Sequence, residues 1–393
     1  MRINRSLIII TIICTLLVGA CKHNEHLHYY NFVTKDFMVN DLVAKINNDE
    51  HVMIVFIHGT ILKYPSLRLF MHAYKDFKKY PQESFSQRYN RNLRLNTWYN
   101  TQTINELGLI PIDFVNISHH TQASRILAHV YQSIYQEVMP LDASHFHFYT
   151  FGWNGKLDQR KREDAAFKLY DQLIAEIKQL KQKIKPAKLV IEILAHSHGG
   201  NVALNLAKAE GTHKKRLAID RLMLFGIPVQ SETANYIGSS VFKKAYNIYS
   251  RGDTIQVLDI FSTDDDCSKR RFKDWPNLTQ IEVSVNKFKP LHTELWFAGT
   301  RDNFIYRGSF PLCPLPLFVL SPLITSFIDH YLDGIKNLNL KVNVEKKSDN
   351  LSFTFHDADI HRNRKHHVID VPTHNIMYTY HHPSFSRINS YAL

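Results

Sequence analysis

The chain has 393 residues, of which 44% are hydrophobic, 12% aromatic and 21% charged, a composition that supports a large folded core and excludes a disordered chain. Its formal net charge of +12 suits an anionic surface such as a membrane, whereas basic residues spread along the chain without an arginine-rich arm or nucleic-acid motif argue against nucleic acid. Four cysteines, at positions 14, 21, 267 and 313, form no CxxC pair and no cysteine–histidine set at zinc spacing, so neither a metal nor a cofactor is expected.

Residues 1–5 carry two arginines, residues 7–18 are mostly apolar, and small residues precede Cys21. This is the pattern of a secretory signal over 1–20, too short to span a bilayer as a helix. Val18-Gly19-Ala20-Cys21 resembles the bacterial lipobox, which implies lipidation of Cys21 and a membrane-anchored protein of the cell envelope. In that compartment Cys267 and Cys313 are left over, free to pair or to remain thiols. Residues 21–50 read as a tether and an N-terminal helix or edge element. The apolar run at 51–57 then reads as a buried parallel strand, the start of a domain over 51–337. A long insertion follows at 61–144, with a helical patch over 124–139. Strands are predicted at 145–151, 188–195, 221–225, 245–250 and, as the last, 280–285. Helices are predicted at 162–184, 199–210 closed by Gly211, and 317–336. Strands alternating with helices predict a mostly parallel central sheet flanked by helices, with ligands beyond the strands' carboxyl ends. Residues 338–393 read as a His-rich polar tail whose histidines match no metal-ligand spacing.

The strongest motif is LVIEILAHSHGGNVA over 189–203: a strand, a turn with Ser197 at its apex, then a helix. A residue in so sharp a turn needs small neighbours two positions away, and Ala195 and Gly199 supply them. The stretch resembles the G-x-S-x-G nucleophile elbow of α/β-hydrolases, with Ala195 in place of the first glycine. That resemblance covers roughly 51–292 and implies the α/β-hydrolase fold, Ser197 as nucleophile, and a triad ordered Ser, acid, His. It implies Asp253, at a strand end, as the acid, with Asp259 and the run Asp264–Asp266 as alternatives. It implies His292 as the base, with His330 the weaker choice. His196 and His198 flank the serine and read as packing or lining residues. The backbone N–H of His198 is one expected oxyanion donor. The loop at His58-Gly59-Thr60 is expected to supply the other, through Thr60 or Ile61, with Gly59 allowing the turn. His58 and Trp153 are expected to line the substrate, with core packing an equally good account of Trp153. The implied activity is lipase- or esterase-like cleavage of an acyl ester through an acyl-enzyme. Amidase, thioesterase or acyltransferase chemistry and a non-catalytic, lipid-anchored binding protein are the alternatives, because one fold hosts many functions.

Overall fold

The apolar runs of the sequence become strands buried on both faces, and their period of two divides the core. In Glu50–Ile57, residues Val52, Ile54 and Phe56 join one buried cluster while Met53, Val55 and Ile57 join another, as alternating side chains on a pleated strand must. The computed structural model describes residues 34–38, 50–60, 107–114, 122–139, 141–184, 186, 188–257, 268–297, 310–312, 315–332, 338–347, 350–357 and 366–372. The signal and lipobox residues, Cys267 and Cys313 therefore lie outside the described residues.

Eleven strands form one sheet. In chain order they are β1 (Thr34–Met38), β2 (Glu50–Ile57), β3 (Gly108–Pro111), β4 (Phe146–Gly152), β5 (Lys188–His196), β6 (Ile219–Phe225), β7 (Phe242–Tyr249), β8 (Leu278–Val285), β9 (Leu338–Lys346), β10 (Asn350–Asp357) and β11 (His366–Pro372). Their order across the sheet is β1-β11-β10-β9-β8-β7-β6-β5-β2-β4-β3. The seven strands from β4 to β9 are mutually parallel, and β3 and β10 run antiparallel to their neighbours. This is the expected α/β architecture. From β2 the chain runs outward to the edge strand β3, returns through β4 and crosses back to β5. The carboxyl ends of β2 and β5 therefore flank a switch point, the crevice where open α/β sheets bind ligands.

Helices cover both faces. On one, α1 (Gln122–Val138) buries Leu127, Val130, Tyr131 and Ile134. On the other lie α2 (Gln159–Ile184), α3 (His198–Leu204) and α4 (Leu206–His213), burying Leu169, Leu173, Val202 and Leu206. A short α5 (Ser231–Ala234) follows β6, and α6 (Ser321–Tyr331) packs beside α1. An ion network pins that first face: the buried Glu192 of β5 accepts from Tyr135 of α1 at 2.7 Å and pairs with Arg221 of β6 at 2.5 Å. Arg221 in turn reaches Asp329 of α6 at 3.0 Å.

Several expectations are corrected. The 199–210 helix is two helices breaking at Asn205, and the left-handed residue that closes the second is Lys214 (φ 52°), not Gly211. The 317–336 helix is a short 3-10 turn over Leu317–Leu320 followed by α6. The polar tail is the largest difference, because residues 338–372 supply three strands of the sheet. Leu338, Leu340, Val342 and Val344 alternate inward with polar residues between them, which is a half-buried strand despite its charged composition. The strand at 278–285 is thus not the last, and the domain runs past residue 337. The N-terminal element at 33–48 includes the edge strand β1, paired with β11.

Candidate active site

Ser197 stands between the last residue of β5 and the first of α3 with φ 51° and ψ −132°. A side chain in this region costs about 1–3 kcal/mol and persists only where its surroundings impose it. Here they do. The Ser197 N–H donates to the Phe225 carbonyl at 2.9 Å, and the Ser197 carbonyl accepts from Gly200 N–H at 2.9 Å. The two glycines after His198 make the turn possible: a Cβ on Gly199 would stand 2.3 Å from the His58 carbonyl oxygen, and one on Gly200 would stand 2.6 Å from Ile227 Cδ1. The loop after β2 closes on the turn from the other side. A Cβ on Gly59 would sit 2.8 Å from Ser197 Cβ, so backbone of that loop lies directly against the serine.

Asp253 and His292 arrive from the loops after β7 and β8. His292 Nδ1 donates to Asp253 Oδ2 at 2.7 Å, and the carboxylate is fully buried. Gln256 N–H donates to Asp253 Oδ1 at 3.2 Å, while the Arg270 guanidinium holds the Asp253 carbonyl at 2.8 and 3.1 Å. Both the Asp253 carboxylate and its loop are thereby fixed. Gly226, directly after β6, lies under the pair: its φ is +59°, and a Cβ there would come within 2.9 Å of Asp253 Oδ2 and 3.2 Å of His292 Nδ1. Since Phe225 accepts from the Ser197 N–H, one short stretch at the end of β6 braces both Ser197 and the Asp253–His292 pair. Among the described residues Ser197 Oγ and His292 Nε2 are not hydrogen-bonded to one another.

The remaining histidines have other partners. His196 is buried, stacks on Trp296 (centroids 5.6 Å apart, planes 10° apart) and lies 4.5 Å from the His292 ring. Its Nε2 donates to the His292 carbonyl at 3.2 Å. Burial, then the neighbouring His292, hold its imidazole neutral with a pKa well below the usual value. His198 Nδ1 accepts from Arg162 at 3.3 Å, and the buried Arg162 also bonds Gln159 and Gln230. His58 and Trp153, expected to line the substrate, are instead sealed against each other at 2% and 1% exposure. Trp153 Nε1 donates to the His58 carbonyl at 2.8 Å, the Trp153 N–H donates to His58 Nε2 at 3.2 Å, and His58 Nδ1 donates to the Gly59 carbonyl at 2.7 Å. The imidazole is thereby held as the neutral Nδ1–H tautomer, and burial pushes its pKa down to about 4. The pair ties the loop after β2 to the end of β4.

Sequence reasoning missed Gly226, the Arg162–Gln230 support behind His198, and Trp296. A glycine immediately after a strand was the one visible hint. It also missed two buried polar atoms flanking the turn, Thr60 Oγ1 and His196 Nδ1, which have no hydrogen-bond partner among the described residues. Asp259 and the 264–266 run, the alternative acids, lie outside the described residues, and so does Ile61. His330 is exposed on α6. No group of three or more metal-ligating side chains gathers among the described residues. No helix among them is long and apolar enough to cross a membrane. No protein-family model matches the chain, and no curated protein matches it.

Proposed function

We propose that the chain is a serine hydrolase of the α/β-hydrolase type, cleaving a carboxylic ester through an acyl-enzyme. The observation that carries this reading is the 2.7 Å bond between His292 Nδ1 and the buried Asp253 carboxylate, set beside a serine in a strained strand-to-helix turn. With Nδ1 committed to the carboxylate, His292 keeps Nε2 as a base. Ser197 Oγ attacks the ester carbonyl as Nε2 takes its proton. The imidazolium is stabilised by Asp253 and returns the proton to the leaving alcohol. Water, deprotonated by the same nitrogen, then attacks the acyl-serine and releases the acid. The negative charge on the former carbonyl oxygen is met by the N–H of His198, the first residue of α3, and by the N–H of Thr60 on the glycine-bent loop. Each such donor contributes about 3–4 kcal/mol to the transition state. The chain order Ser197, Asp253, His292 also follows that of the superfamily.

A fluorophosphonate probe tests the proposal. The wild type is expected to label covalently and Ser197→Ala to stay unlabelled. Equal labelling of the two, or none of either, contradicts it and favours a binding protein on the same scaffold.

A further inference from the structure

Among the described residues, four large hydrophobic side chains are exposed: Leu107 (36%), Leu157 (38%), Ile255 (54%) and Phe288 (41%). All four stand at the same end of the sheet. Leu107 precedes Gly108, which pairs with Gly152 at the carboxyl end of β4. Leu157 lies in the loop leaving β4, Ile255 in the loop leaving β7, and Phe288 just beyond β8. This is also the end that carries Ser197, Asp253 and His292. Scattered exposed apolar residues need no explanation, but grouping at one pole of a molecule marks an interaction face.

The same loops are basic. Lys156, Arg251, Lys269, Lys287 and Lys289 are exposed there, with Arg251 paired to Glu282 at 2.9 Å. Of the carboxylates in the described parts of those loops, Asp158 and Asp274 are exposed while Asp253 and Glu294 are buried; Asp259, the acidic run 264–266 and Asp302 lie outside the described residues. The tip Lys287-Phe288-Lys289 is the clearest element. Asn286 and Lys287 take φ of 45° and 68°. Val285 and Phe288 exchange backbone hydrogen bonds of 2.8 and 2.9 Å, so the turn is a closed two-residue loop that presents an aromatic ring between two cations in a preset shape. The tip also touches the acid's loop, since a Cβ on Gly252 would meet the Lys289 carbonyl oxygen at 2.4 Å.

We propose that this pole docks on an anionic lipid surface, with Phe288 and Ile255 entering the headgroup–acyl boundary and the surrounding lysines meeting lipid phosphates. An aromatic ring seeks that boundary, and cations beside it add electrostatic attraction to acidic lipid. A protein partner would be served by the apolar residues alone, whereas the excess of exposed cations over exposed carboxylates among the described residues of these loops favours a negatively charged sheet. Docking there sets the mouth between β2 and β5 against the membrane, and it is independent of whether Ser197 is a nucleophile.

The test is local to the tip and therefore unaffected by any anchoring through residues 1–21. The full chain carrying Phe288→Trp is mixed with phosphatidylglycerol vesicles containing brominated acyl chains. The expected result is quenching of the variant's emission beyond that of the parent protein, and little of it with phosphatidylcholine. Adding Lys287→Glu and Lys289→Glu should weaken vesicle binding, read by the same quenching, at least about fivefold for each lysine at low salt. No quenching beyond the parent, or equal quenching with both lipids, overturns the proposal. A shift in the variant's emission with protein concentration in the absence of vesicles also overturns it, and assigns the face to a second copy of the chain.

Discussion

At the amino ends of β2 and β4, His51, His145 and His147 stack on one another, with centroids of 4.5 Å for His51–His145 and 5.3 Å for His51–His147. At the carboxyl ends of the sheet, His58, His196, His198 and His292 gather around Ser197. Each group contains imidazoles that burial holds neutral, His147 in the first and His58 and His196 in the second. Burial, then the neighbouring His51, lowers the His147 pKa to about 4, matching what burial does to His58. What separates the two ends is the partner. His51 Nδ1 meets another imidazole, His147 Nε2, at 3.0 Å, whereas His292 Nδ1 meets a buried carboxylate at 2.7 Å. Proximity among histidines orders rings. A carboxylate fixes a tautomer and stabilises the cation that proton transfer creates, so the second arrangement, unlike the first, suits the base of the proposed reaction.

The largest effect that sharpens this contrast is expected from Asp253→Asn. The amide can donate to Nδ1, which forces the proton onto Nε2 and removes the base. kcat for p-nitrophenyl ester hydrolysis should fall by on the order of 10³- to 10⁴-fold, while His147→Asn should leave kcat within about twofold. Comparable losses in both variants would erase the distinction between the two ends.

Acid stability comes next. The His58 pKa is about 4 in the folded protein against about 6.5 when unfolded. Between those values the unfolded chain binds the proton and the folded one does not. The stabilisation is therefore complete above about pH 6.5 and is lost as pH falls toward 4, by about 3 kcal/mol for this buried group. Urea unfolding across pH 7 to 4 should show a shallower decline for His58→Asn than for the parent. His147→Asn should flatten the decline less, because that ring is only partly buried. A parent whose stability does not fall over this range contradicts both assignments.

The elbow was legible because its physics is local. An apolar strand, a serine and two glycines in a row can hardly be arranged otherwise, and Asp253 and His292 sit where strand ends put them. The supports were not legible, since they are meetings of residues far apart in sequence: Trp153 with His58 across 95 positions, Arg162 with Gln230 across 68. An aromatic at a strand end reads equally well as a cleft wall or a brace, and only the hydrogen bonds distinguish them. Strands β9 to β11 were hidden for a different reason. Their histidines and charges mask an alternation that Leu338, Leu340, Val342 and Val344 nonetheless carry, and pairing along β8 turns that alternation into sheet.

In the proposed reaction Ser197, His292 and the loop after β2 converge on one reacting carbonyl. The most direct measurement is a crystal structure of the protein after reaction with a phosphonate ester. The expected adduct has phosphorus bonded to Ser197 Oγ, its oxygen about 2.7–3.1 Å from the N–H groups of His198 and Thr60, and His292 Nε2 within hydrogen-bond reach while Nδ1 still holds Asp253. An adduct on another residue, or His292 turned away from the phosphonyl group with its bond to Asp253 broken, would contradict it.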